Sequence, residues 1–218
     1  LGAHRRPQRR ARCPAQNMIF MSQSGLTDGS RERDWDRWYL DHLAIMVSVP
    51  GVASAQRFKT STAGHPPSLA MYSFDSAEVF QDPYYLSVRG MGEWVDLIDR
   101  RYYRRNLFAG AERAPEVAQD RLLLVADRDR PEPGLAGLDW TWLECAGIDR
   151  STPYRGIAVV EVRHSREGGN PERYGRFYWI PAFAGMTSEG TFFGRIQRFQ
   201  RVHSSPVERS VMKRNAPS

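Results

Sequence analysis

Trp35, Trp38, Tyr39, His42, Ile45 and Met46 are the side chains in this chain whose types and spacing read most readily as a chemical site. On a helix they fall at i, i+3, i+4, i+7, i+10 and i+11, one continuous face. A histidine has its ordinary pKa near neutrality, so His42 is expected to take or give a proton without a large shift. Tyr39, and Tyr72 from a later segment, could donate hydrogen bonds to a carbonyl or phenolate oxygen, and Arg57 could hold developing negative charge. Trp35 and Trp38, with Met46, would supply the flat apolar walls that ligand pockets use. The plain alternative gives the same residues no chemistry. His42 is then a satisfied core or interface histidine, the aromatic stripe is core, and Arg57 is a surface or ion-paired strand residue.

These groups need a scaffold, and the chain supplies one in a regular order. The stretch Asp34 to Val52 holds this helix, which must stop near Pro50-Gly51, because proline cannot continue it and glycine takes the φ values that end it. Arg33, Asp36, Arg37 and Asp41 are expected on its opposite, solvated side. Met18 to Ser24 has the composition of a strand, and Asp28 or Ser30 can cap the helix that follows. Ala53 to Lys59 alternates as a strand should, Thr60 to Ser68 is a loop, and Leu69 to Phe74 is a third strand. Asp75 and Glu78 open a second helix in capping-box fashion. It is interrupted at Pro83 and at Gly90 and Gly92, and resumes over Glu93 to Arg100. Tyr102 to Phe108 is a fourth strand. The order is β-α-β-β-α-β, an α+β fold of the ferredoxin-like type.

A second, degenerate unit is expected at 118–162, after a first domain at 18–112. Asp120 to Ala126 is its first strand, and Glu132 to Ala136 (EPGLA) echoes Val49 to Ala53 (VPGVA). Leu138 to Cys145 and Tyr154 to Val162 would then be its second and third strands, with the first helix missing or a single turn.

The first unit resembles the EthD-like members of the dimeric α/β-barrel superfamily. The resemblance rests on the strand MIFMSQSGL, on Trp35-x-x-Trp38-Tyr39-x-x-His42-Leu43, and on Pro50-Gly51-Val52 with Gln56-Arg57-Phe58. Leu69-Ala70-Met71-Tyr72 and Arg105-Asn106-Leu107-Phe108 extend it, so that it covers about residues 18–110. It implies a homodimer in which two ferredoxin-like sheets pair, with a small hydrophobic or aromatic molecule bound between each sheet and its helices. It also implies activities that range over cofactor-independent oxygenation, polyketide cyclisation, catabolic steps and haem chemistry. His42, Tyr39 and Arg57 would be the catalytic groups, and Trp35, Trp38, Tyr72 and Met46 the ligand-binding ones. A second resemblance lies at Ser165 to Pro171 (SREGGNP) and Trp179 to Thr187 (WIPAFAGMT), which look like the two arms of a translated bacterial interspersed palindromic repeat. It implies that 163–218 is a repeat-derived irregular tail and that the second unit lost its last helix and strand, leaving an exposed edge.

The net charge of +6 belongs to the ends. Residues 1–17 carry five arginines and no acid, and 161–218 carry ten basic and five acidic side chains. The middle, 18–160, is left with 16 basic and 20 acidic ones, a net of −4. A nucleic-acid surface belongs on the folded part, so no nucleic-acid partner is expected. Residues 1–17 read as a disordered leader or as upstream sequence translated in error. Cys13 and Cys145 read as free thiols of a reducing compartment. No run approaches the roughly 18 apolar residues of a membrane span, so no membrane is expected and a cytoplasmic location is the default. Asp127, Asp129 and Glu132 read as a solvated loop. With no spaced set of His, Cys or carboxylates, no metal and no cofactor is expected, although a lone histidine could serve as a haem ligand.

Overall fold

The computed structural model describes residues 16–61, 64–161, 196–201 and 207–208. The repeat-like arms within 165–187, and all but the last two residues of the expected leader, lie outside them. Seven principal strands and two helices are formed: β1 (Met18–Ser24), α1 (Glu32–Ser48), β2 (Val52–Lys59), β3 (Ser68–Phe74), α2 (Pro83–Val88), β4 (Arg104–Ala109), β5 (Arg121–Arg128), β6 (Thr141–Ile148) and β7 (Tyr154–Glu161). Two further short strands, β8 (Ile196–Arg201) and β9 (Val207–Glu208), follow.

Local chemistry explains most boundaries. Asp28 accepts a hydrogen bond from the Ser30 amide at 2.9 Å and opens the turn that leads into α1. Val49 leaves the helix extended, and Gly51 takes φ +84°, which L residues avoid, so the chain reverses into β2. The segment between β3 and β4 is not one helix. Its cap is Ser76, one residue later than expected, whose hydroxyl accepts from the Glu78 amide at 3.2 Å, while the Asp75 amide ties the segment to the Gly51 carbonyl at 2.8 Å. It then breaks into a 3-10 turn (Ala77–Gln81), α2, and a second 3-10 turn (Gly92–Leu97). Pro83 cannot donate to the preceding turn, but it suits the first position of α2, where Asp82 accepts from the Tyr85 amide at 2.9 Å.

All strand pairs are antiparallel, and the order across the sheet is β2–β3–β1–β4–β6–β7–β5. Seven strands make a strongly curled sheet. The backbone of β8 pairs with both end strands, β5 and β2, so the two edges of the curl meet on it. That strand falls inside the stretch expected to be irregular, and it pairs against β5, where the second unit was expected to lack a strand.

Period-two alternation divides each strand between two cores. Ile19, Met21, Phe58, Met71, Phe108 and Leu123 point into the curl. Phe20, Ala70, Tyr72, Phe74 and Leu107 point outward, against α1 and the segment 77–98. Full burial of such side chains contributes about 1.5–3 kcal/mol each. The interior also holds polar groups. Arg155 is 1% exposed and grips Asp127 with two hydrogen bonds of 2.6 and 2.8 Å, while its third donor reaches Gln23 at 3.1 Å. Asp127 is therefore the counter-ion of a buried arginine and not part of a solvated loop. The linker between β4 and β5 is pinned across the interior: Gln56 donates to the Pro115 carbonyl at 2.8 Å and accepts from the Val117 amide at 2.9 Å.

The buried face of α1 differs from the expected one. Trp35, Tyr39, His42, Leu43, Met46 and Val47 are buried, whereas Ile45 is 42% exposed and Trp38 only partly covered. At 100° per residue the buried arc is rotated by roughly 50° toward Leu43 and Val47. The same rotation turns Asp36 away from solvent and onto β2, where it meets Arg57 and Lys59.

Candidate functional site

One cavity lies between the outer face of the sheet and the helical layer. Phe20 and Ser22 of β1 form its floor. The register puts Tyr72 of β3 opposite Phe20, and Arg105 of β4 opposite Ser22, so both neighbours border the same floor. From α1, Tyr39, His42 and Met46 close one side at i, i+3 and i+7. Tyr85, Arg89, Gly90 and Met91 close the other, and Tyr103 completes the lining. The space amounts to about 30 Å³, room for roughly two waters at the 10–15 Å³ that one water needs. That is far below a pocket for a drug-sized ligand, and a porphyrin does not fit. Arg89 and Gly90 are exposed, so the cavity opens on their side.

Burial dominates its electrostatics. His42 stacks on Trp38, with ring centres 4.9 Å apart and planes 9° apart, and meets Tyr39 edge-on. Desolvation holds its pKa down at about 4, so the imidazole is neutral at pH 7 and a far weaker base than free histidine. The expectation of an unshifted histidine is thus corrected. Burial also pushes Tyr39 and Tyr85 up, and Tyr72 well up. All three are neutral hydroxyls able to donate. Tyr39 has Tyr72 and Ser22 as hydroxyl partners, and Tyr85 accepts from Arg105 Nη2 at 3.1 Å. Among the described residues no aspartate or glutamate lines the cavity. The assembled chemistry is a cluster of neutral hydrogen-bond donors with two guanidinium groups, an arrangement suited to stabilising negative charge on an oxygen.

Of the residues anticipated from sequence, His42, Tyr39, Tyr72 and Met46 meet at this cavity. Trp35, Trp38 and Arg57 do not. Trp35 is 1% exposed and spent in the core, and Trp38 acts only through its stack on His42. Arg57 is a fully buried strand residue sandwiched over the Trp35 and Tyr39 rings at 4.5 and 4.2 Å. Its Nε donates to Ser68 Oγ at 3.0 Å, and its Nη2 lies 2.9 Å from Asp36 Oδ1 but off the hydrogen-bond direction. Burial lowers its pKa, with Tyr39 and Asp36 opposing. It supports Tyr39 from behind and does not reach the ligand space. Ser22, Tyr85, Arg89, Tyr103 and Arg105 were not anticipated. Ser22 and Arg105 were legible in principle, since they flank Phe20 and Leu107 on strands whose alternation is clear, and both therefore sit beside the helix-facing core.

Among the described residues no three His, Cys, Asp or Glu side chains gather as a metal-holding group, and no helix is long and apolar enough to cross a membrane. Compared with known proteins, the chain matches no family and no curated sequence.

Proposed function

We propose that this protein binds a small aromatic or polyketide-like molecule at the mouth of the cavity between α1, the α2 segment and the sheet, with one polar group of it entering the cavity, and that it acts on that molecule without a cofactor. The observation that carries the reading is the convergence of His42, Tyr39, Tyr72, Tyr85 and Arg105 on one cavity free of carboxylates. In such a site the tyrosine hydroxyls and the guanidinium hold an oxygen of the ligand while charge develops on it. His42 exchanges a proton with the adjacent carbon or hydroxyl. An anionic group formed beside His42 raises its pKa again, which couples charge formation to proton transfer. Replacing His42 by alanine is expected to abolish turnover and to weaken ligand binding at least tenfold, as read by calorimetry. A His42→Ala protein with full affinity and turnover would remove the catalytic part of the reading.

The fold supports the same family-level reading. We read the order β2–β3–β1–β4, with α1 and the α2 segment as crossovers, as the ferredoxin-like unit expected from the sequence. We read β5, β6 and β7, with β8 beside β5, as a second and reduced unit in tandem. Gly51 and Gly134, the two glycines of the VPGVA and EPGLA segments, both take left-handed φ ahead of the second strand of each unit. On this reading the sheet-to-sheet pairing that resembles an EthD-like dimer is made within one chain, by β4 against β6. A homodimer is then not required to complete the curl.

A non-catalytic binding or assembly domain is the second reading. The small volume of about 30 Å³ and the depressed basicity of His42 favour it. The two readings separate on whether a bound compound is converted or merely held.

A further inference from the structure

Among the described residues, half-buried and buried arginines have carboxylate partners, with one exception beside the cavity. Arg57 lies 2.9 Å from Asp36, Arg155 is 2.6 Å from Asp127, and Arg128 is 3.1 Å from Glu132. Arg105, half-buried on β4, forms no ion pair among the described residues. Its guanidinium rests over the Phe20 ring at 5.4 Å and donates to the neutral Tyr85 hydroxyl at 3.1 Å. Arg89 stands at the open rim, likewise without a carboxylate partner among the described residues. A guanidinium withdrawn from water and left without an anion is costly unless an anion arrives.

Resting on the reading of this cavity as a small-molecule site, we infer that its ligand carries a planar carboxylate, held by Arg105 with Arg89 at the rim. The guanidinium fork matches a carboxylate in two parallel hydrogen bonds. The two carboxylate oxygens need about the room of the two waters the cavity can hold, and the Ser22 and Tyr39 hydroxyls line the same space. The body of the ligand then lies toward the opening at Arg89 and Gly90. Among the described residues no carboxylate lines the cavity to repel an anion.

The test compares benzoate with benzamide, two molecules of one shape that differ in charge, by calorimetry on the full chain and on Arg105→Gln and Arg89→Gln variants. Benzoate is expected to bind ten- to a hundredfold more tightly than benzamide, the range of one to two charge-assisted hydrogen bonds. Arg105→Gln is expected to erase that preference, and an unchanged urea-unfolding midpoint shows that the variant is folded. Arg89→Gln should reduce the preference only a fewfold. Equal binding of the two compounds would overturn the carboxylate inference and leave the cavity standing. A preference that survives in Arg105→Gln would overturn the assignment to Arg105. Binding of neither compound at millimolar concentration would overturn the small-molecule reading itself, and the inference with it.

Discussion

Replacing Asp36 by alanine is expected to destabilise the protein by about 3–5 kcal/mol, the cost of leaving a buried charge without its partner. The charge stranded is that of Arg57, whose side chain has no exposure at all. Its remaining polar contact is Ser68, and its Nη groups have no aligned acceptor. Out of a typical total of 5–15 kcal/mol, such a loss is visible in any urea titration. Lys59 is the internal control. It pairs with the same carboxylate at 2.8 Å but is partly exposed, so Lys59→Ala should cost only about 0–1 kcal/mol. The double variant Asp36→Leu with Arg57→Met removes both charges and keeps the volume, and should return to within about 2 kcal/mol of the parent. An Asp36→Ala protein within 1 kcal/mol of the parent would show that Arg57 is not the buried, singly countered charge described above.

Acid is expected to weaken the fold through His42 well before carboxylates are protonated. The unfolded chain binds a proton at His42 near its ordinary value of 6.5, whereas the folded chain binds it only at about 4. Between these values the unfolded state holds more protons, so stability rises with pH there. The contribution is complete above about 6.5 and is lost as pH falls toward 4. At 1.36 kcal/mol per pK unit the 2.5-unit gap amounts to about 3 kcal/mol over the whole window. Asp99 and Asp149, whose hydrogen bonds to Arg101 and Ser151 hold them below the usual carboxylate value, act mainly below that window. Urea titrations at pH 7 and pH 4.5 on the parent and on His42→Phe, which keeps a ring against Trp38, isolate the term. The parent should lose about 2–3 kcal/mol more than the variant. Parallel losses in the two proteins would show that His42 titrates normally.

The order of elements was readable from the chain because it rests on local chemistry. Strand composition in Met18–Ser24 and Leu69–Phe74, the Asp28 cap and the Pro50-Gly51 stop all act within a few residues, and each appears within a residue of the expected place. What escaped depends on partners distant in sequence. Asp36 reads as a surface residue until Arg57, twenty-one positions later, is laid against it. Asp127 reads as part of a loop until Arg155 closes on it from inside the curl. The helical face was displaced because the expected stripe took in Trp38 and Ile45 and left out Leu43 and Val47, which are apolar at i+8 and i+12 from Trp35 and are buried. The site was half legible. His42, Tyr39 and Met46 share a helix face and are found by spacing, whereas Tyr85, Arg89 and Arg105 reach the cavity only through the strand register and the broken α2 segment. Trp35 and Trp38 have the composition of pocket walls but are used up in packing and in holding His42.

The central claim is that the cavity beside His42 takes a small planar molecule, and the methionines allow it to be read directly. Met46 and Met91 line the cavity, while Met21 and Met71 are buried inside the curl on the other face of the sheet. Methyl-labelled methionine in the full chain, titrated with a panel of small planar aromatic compounds and followed by nuclear magnetic resonance, reports both places at once. The predicted result is a saturable shift of the Met46 and Met91 methyl signals with at least one compound, while Met21 and Met71 stay in place. Unmoved Met46 and Met91 signals across the whole panel, or equal shifts of all four, would contradict it.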